Sequence, residues 1–315
     1  MQLRRCFRLV RGKVFLLAQA LHLNLDQAWP AGVLSLETLD ATSWGPVLRF
    51  SAPDCSIKTF YDELGRSLPP FLLYGSGDFH HLTALWVRRV SEPFVLISFD
   101  NHPDWDVRPP RWCCGGWVNR ALELPLVKKV SVWGGGIFKS WWPGRLFGNR
   151  RAERTGRLEL YPCGEGRPAS DRAGGRGILE IHWRERFEEF VHGLEAANLY
   201  VTIDLDCLRA EEAITNWESG RFTVADLGWA LSQLRASGAR ILGGDICGAF
   251  SPERYARPKQ RLVAYLDHPK IPARDLESAR KINLRSLAAL WPFLAEDAPA
   301  LPVGKAGGLA ATDAK

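Results

Sequence analysis

Phe94-Val-Leu-Ile-Ser-Phe99, followed at once by Asp100-Asn-His-Pro-Asp104, decides how this chain is read. The first six residues are β-prone and apolar at nearly every position. Both faces are therefore expected to be buried, as in a central strand of a parallel sheet. The next five carry ligand-type side chains at alternate positions, Asp100, His102 and Asp104. Alternate positions can point to one side of an extended or tightly turned segment.

Similar junctions flank this one. Phe71-Leu-Leu-Tyr74 runs into Gly75-Ser-Gly77, with Asp78, His80 and His81 just beyond. Leu199-Tyr-Val-Thr-Ile203 is expected to be a strand leading into Asp204-Leu-Asp206, and Ala239-Arg-Ile-Leu242 a strand with Asp245 after it. Val127–Val132 is a further strand. Helical spacing marks Leu82–Val90, Trp183–Leu194 and Val224–Ala236, the last with Thr223 as its N-cap. Strand, helix and strand in succession give an α/β fold, a three-layer αβα sandwich with a mostly parallel central sheet. Ligands of such sheets bind at the carboxyl ends of the strands, where these acids and imidazoles stand.

Outside this region the readings are plainer. Residues 1–30 are expected to be an N-terminal extension, 31–295 the α/β domain with an irregular Gly-, Arg- and Pro-rich insertion over 144–178, and 296–315 a disordered tail. Arg4, Arg5, Arg8 and Arg11 before Val14–Ala20 imitate a signal peptide. The apolar stretch is only ~7 residues, however, and polar residues follow at once, so a cytoplasmic protein is expected. The 315 residues are 46% hydrophobic and 24% charged, which is ordinary globular usage. No uninterrupted apolar run reaches ~18 residues, so no membrane span is expected. Net charge is +6, but the Arg residues are scattered, with no basic helix interleaved with aromatics. A nucleic-acid partner is not expected on that patterning. Seven cysteines without regular spacing fit a reducing compartment better than a disulfide framework.

Carboxylates crowded at one rim repel one another unless cations neutralise them. Oxygen-rich ligands with one or two imidazoles suit Mn²⁺, and Zn²⁺ or Mg²⁺ less specifically. Taken singly, Asp100–Asp104 could be a hydrogen-bonded turn, and Asp204 with Asp206 a solvated strand end. D-x-H-x-D arises by chance in a chain of this length on the order of a few per cent of the time. Its combination with D-x-D after a second apolar strand and a His pair after a third makes coincidence a poor account.

In these residues the chain resembles the arginase–agmatinase (ureohydrolase) family, and more loosely the deacetylases that share its fold, from about Phe71 to Phe250. The family's D-x-H-x-D is matched by Asp100, His102 and Asp104, and its D-x-D, preceded by Ser or Thr on the strand, by Thr202-Ile-Asp204-Leu-Asp206. The turn Gly75-Ser-Gly-Asp-Phe-His80-His81 stands one residue out of step with the family's Gly-Gly-Asp-His, so His80 is the expected ligand and His81 its rival. The resemblance implies two Mn²⁺ ions bridged by Asp100 and Asp204, with His80 and Asp104 completing one shell and His102 and Asp206 the other. It further implies a metal-bridging hydroxide that attacks a guanidinium or amide carbon, a small-molecule substrate, and an assembly state in the range of trimers and hexamers. Asp245 corresponds in position to the family acid that contacts the guanidinium, which makes Asp100, Asp204 and Asp245 the expected catalytic set. Trp105, Trp217 and Glu218, on loops beside the ligands, are expected with Asp245 to line the substrate; for either Trp, simple packing is the competing reading.

The departures lie outside the ligand set. Where arginases carry a proton-transferring His, this chain has Arg111-Trp-Cys-Cys-Gly-Gly-Trp117. Cys113 and Cys114 are expected to be structural, and His182, His192 and His268 to be surface or helix-end residues, His268 being a reserve proton shuttle. The resemblance leaves two further readings, a single-metal deacetylase-like amidohydrolase and a non-catalytic metal-binding regulatory protein.

Overall fold

The computed structural model describes residues 19–65, 68–136, 140–169, 177–194, 196–271 and 274–296. Their strands are β1 (Ala20–Asn24), β2 (Thr38–Asp40), β3 (Ser51–Ala52), β4 (Phe71–Leu73), β5 (Phe94–Phe99), β6 (Trp112–Cys113), β7 (Val127–Trp133), β8 (Leu158–Tyr161), β9 (Asn198–Asp204) and β10 (Arg240–Cys247). Eight of them form one sheet in the order β2-β1-β4-β10-β9-β5-β7-β8, with every pairing parallel. Strands β3 and β6 make a separate antiparallel pair.

Helices cover both faces, which gives the expected three layers. Alternation along the strands supplies the two cores. Phe71, Leu73, Ile97, Phe99, Leu199, Val201 and Ile203 pack with Phe187, Leu231 and Leu287 from the helices Trp183–His192, Val224–Ala236 and Leu276–Trp291. Leu72, Tyr74, Phe94, Leu96 and Tyr200 pack against the opposite layer, with Phe60, Trp86 and Trp117. Thr223 caps Val224–Ala236 as the sequence indicates: its Oγ1 accepts from Asp226 N–H at 3.0 Å, and Asp226 accepts from the Thr223 N–H at 3.0 Å. The stretch expected as one helix over Leu82–Val90 is a chain of short turns, with α-geometry only over Thr83–Trp86.

Two boundaries are corrected. Ala20–Asn24, assigned from sequence to an extension ending at Pro30, is a strand paired with both β2 and β4; its His22 interrupts the apolar pattern and hides it. The insertion over 144–178 contains Leu158–Tyr161, the edge strand of the sheet, whose own pattern is short and polar at Glu159. Residues 1–18 of the expected extension and the expected tail beyond Glu296 lie outside the described residues, whereas Ala28 and Trp29 belong to the core. No helix among the described residues is long and apolar enough to cross a membrane.

Candidate metal centre

β9 lies between β10 and β5, and this places the site. The register pairs Phe99 with Ile203 and Cys247 with Asp204, so Asp100, Asp204 and Cys247 leave three adjoining strands at one level. The turn after β4, Gly77–Leu82, brings His80 over them. Two glycines permit the approach: a Cβ on Gly77 would stand 2.6 Å from Asp204 Oδ2, and one on Gly248 would stand 2.2 Å from Asp204 Oδ1. Gly248 also has φ +100, which disfavours any side chain.

All six expected ligands converge, and all are buried. They form overlapping groups of donor atoms: His80 with Asp100 and Asp104, His80 with Asp204 and Cys247, and Asp100 with His102 and Asp206. His80 Nδ1 lies 3.1 Å from Asp100 Oδ2, 3.4 Å from Asp204 Oδ2 and 3.5 Å from Asp104 Oδ2. His102 Nδ1 lies 2.7 Å from Asp206 Oδ2 and 3.6 Å from Asp100 Oδ1. Asp100 thus turns one oxygen to each imidazole and spans the two groups. Asp204 belongs to the His80 side, because its Oδ1 accepts the Asp206 N–H at 3.1 Å.

These residues fit divalent cations. His80 Nδ1 and Asp100 Oδ2 are buried atoms that make no hydrogen bond among the described residues, and they face each other. The other His80 nitrogen is anchored: Thr202 Oγ1 lies 3.0 Å from Nε2 and itself donates to Asp245 Oδ1 at 2.7 Å. The hydroxyl therefore accepts the Nε2–H, which leaves the Nδ1 lone pair for a cation, the usual wiring of a metal-binding imidazole. Metal-free, the charges compensate by sharing protons. Burial and the Asp206 carboxylate push Asp204 well above the ordinary carboxylate range. Burial lifts Asp206 to about 6 against the pull of His102. Burial opposes a low value at Asp100 too, but His102 and His80 hold it below the usual range.

The loop after β5 is held tightly. Asp104 sits at φ 43, and its Oδ2 accepts Trp117 Nε1–H at 2.7 Å. The Trp117 ring lies 4.7 Å from that of His80. The segment Arg111–Trp117, which has no His, therefore supplies a tryptophan that orients Asp104 and packs on His80. Sequence reasoning missed Thr202, Trp117 and Cys247 as parts of the site. Only Thr202 left a signal, as the residue preceding the D-x-D.

One alternative is narrowed and three expectations are corrected. His81 is buried beside His80 but belongs to no donor group, so the choice falls on His80. Trp105 lies in the apolar core, with the Arg145 guanidinium 5.1 Å over its ring, and Gly148 packs against it. It lines no substrate space, because the turn at Asp104 sends the next side chain inward. Asp245 does not stand on the rim. β10 continues to Cys247, so Asp245 lies within the strand and accepts from Tyr74 (3.0 Å), Thr83 (3.1 Å), Thr202 (2.7 Å) and Tyr200 (2.8 Å). With those four donors around it, it has no oxygen to offer a substrate. His268 is buried, not superficial: Nε2 meets Asp78 Oδ1 at 2.7 Å and Nδ1 meets Glu253 Oε1 at 2.9 Å. Both ring nitrogens are taken by carboxylates, which unsuits it as a shuttle. His182 and His192 are exposed, and Cys114 is buried, as expected.

Trp217 and Glu218 do reach the site. Trp217 stands edge-on between His102 (5.0 Å) and His268 (4.5 Å), and Glu218 Oε2 lies 3.4 Å from His102 Nε2 with half its side chain exposed.

No model of a known protein family matches the chain. An uncharacterised protein of Thermotoga maritima is 30% identical over 234 residues, 73% of this chain and 72% of its own length. Among solved structures, the arginase of Bacillus subtilis matches with a TM-score of 0.51 at 13% identity, over 87% of this chain and 98% of that one. A putative agmatinase of Clostridium difficile matches with a TM-score of 0.50 at 15% identity, over 89% and 98%. At such identities the likeness shows the fold.

Proposed function

Since the chain belongs to one family with the uncharacterised Thermotoga maritima protein and has the arginase–agmatinase ureohydrolase fold, we propose that it is a divalent-metal-dependent hydrolase of non-peptide C–N bonds, acting on a guanidino compound or a linear amide. The observation that carries this reading is the convergence of His80, Asp100, His102, Asp104, Asp204 and Asp206 in overlapping donor groups linked through His80 and Asp100. Two such cations, Mn²⁺ being the expected pair, would supply Lewis acidity and a water made acidic near neutral pH. The residues do the rest. Asp100 sets the spacing of the two groups, Thr202 fixes the His80 tautomer, and Trp117 steadies Asp104. Trp217 walls the site beside His102. Glu218, a half-exposed carboxylate 3.4 Å from His102 Nε2, would meet a cationic nitrogen of the substrate. Asp245 serves instead beneath the site, through Thr202.

The donor count favours two cations over the single-metal deacetylase-like reading, since all six positions are filled by ligand-type side chains. The test is metal content of purified protein after Mn²⁺ loading, beside an Asp100→Ala, Asp204→Ala variant. About two ions per chain, lost in the variant, are expected for a two-metal site. One ion would bring the deacetylase-like reading forward. None would leave a protein that binds or regulates on an inherited fold.

A further inference from the structure

Cys247 is buried on the sheet face that bears the site. Along β10 and β9, the register pairs Asp245 with Thr202 and Cys247 with Asp204. Residues two apart in a strand share a face, so the fastening pair Asp245–Thr202 and the pair Cys247–Asp204 follow one another on the same side. Cys247 Sγ lies 3.5 Å from Asp204 Oδ2, the oxygen that is itself 3.4 Å from His80 Nδ1. In a tetrahedral zinc site, with Zn–S ≈ 2.3 Å and Zn–N and Zn–O near 2.0–2.2 Å, the donors stand about 3.6 Å apart for S and O and about 3.4 Å apart for N and O. Both separations match. His80 Nδ1, buried and without a hydrogen bond, is aimed into the same group.

From this geometry we infer that Cys247 supplies a sulfur ligand to the cation held by His80 and Asp204, so that this half of the centre prefers a thiophilic ion such as Zn²⁺ to Mn²⁺. The inference rests on the metal-centre reading above and sharpens it. The two halves then differ in chemistry: the His102–Asp206 group is all nitrogen and oxygen, whereas the His80 group adds sulfur. Soft thiolate donors favour Zn²⁺, while carboxylate and water favour Mn²⁺ or Mg²⁺. On binding, the thiol proton passes to solvent and the Cys247 sulfur binds as thiolate.

Cobalt(II) is the probe. Metal-free full-length protein is loaded with Co²⁺, and both bound cobalt and the near-ultraviolet absorption are measured for wild type and Cys247→Ser. Wild type is expected to show a thiolate-to-cobalt charge-transfer band. The variant should bind cobalt without the band and lose at least tenfold of the preference for Zn²⁺ over Mn²⁺ in competition. X-ray absorption of the zinc-loaded wild type, which needs no variant, should show a sulfur scatterer at about 2.3 Å. Bound cobalt with no band, or zinc with no sulfur neighbour, overturns the role of Cys247 and leaves the metal centre standing. Failure of the wild type to bind cobalt or zinc at all overturns both.

Discussion

The Thr202 hydroxyl joins two buried groups that would otherwise be mismatched, the His80 imidazole and the Asp245 carboxylate. Thr202→Val keeps the volume and removes the hydroxyl. Metal affinity, read by chelator competition, is expected to fall roughly 10- to 100-fold, the usual effect of losing such an outer partner. Stability is expected to fall as well, by about 1–3 kcal/mol, because Asp245 loses a buried donor. An unchanged affinity would show that the imidazole is held by packing alone. His268 makes a pH prediction. Burial would lower its pKa, but Asp78 and Glu253 outweigh it and raise it from 6.5 to about 9. A group raised on folding stabilises fully below its unfolded value and loses that contribution as pH rises through the folded value. The stability gap between wild type and His268→Gln, measured by denaturant unfolding, should therefore be largest near pH 6 and shrink towards pH 9–10. A gap that widens with pH would mean that the imidazole is neutral in the folded protein.

Among the elements, the helix Val224–Ala236 was legible from sequence because its signals are local: an N-cap Thr223, an acid three residues on, and helical periodicity. Thr223→Ala should cost about 1 kcal/mol and lower Tm by roughly 2 °C. Calorimetry would check this; an unchanged Tm would mean that packing alone sets that helix start. The end of β10 was not legible. The apolar run Ala239–Leu242 stops at Gly243 and Gly244, yet the strand continues to Cys247 because both neighbours, β4 and β9, offer partners there. Gly248 then turns the chain beneath Asp204. Gly248→Ala is expected to displace Asp204 and abolish metal retention, since the new Cβ would lie 2.2 Å from Asp204 Oδ1 on a backbone with φ +100. Metal analysis after gel filtration would show it, and retention at the wild-type level would contradict the close approach.

At the scale of the whole molecule, the site lies where three strands end together and holds their loops through shared charges. A cation bound there only in the folded state should stabilise the whole domain, by about 2.7 kcal/mol at a hundredfold excess over Kd. That corresponds to a Tm rise of roughly 5 °C, removed by chelator and absent in the Asp100→Ala, Asp204→Ala variant. Equal melting with and without divalent ions would count against a cation in the cluster.

The sequence alone determined the sheet class, the central strand β5 and five of the six expected ligands without ambiguity. Apolar runs and D-x-H-x-D or D-x-D spacings are properties of a few consecutive residues, and parallel strands bring their ends to one rim whatever their order. Only the tertiary structure decided between His80 and His81, buried Asp245 beneath the site, seated Trp105 in the core, paired His268 with Asp78 and set Cys247 beside Asp204. Each of these depends on which strands adjoin and in what register, a matter of contacts between residues far apart in the chain, and a one-residue shift in register would turn every such side chain to the other face.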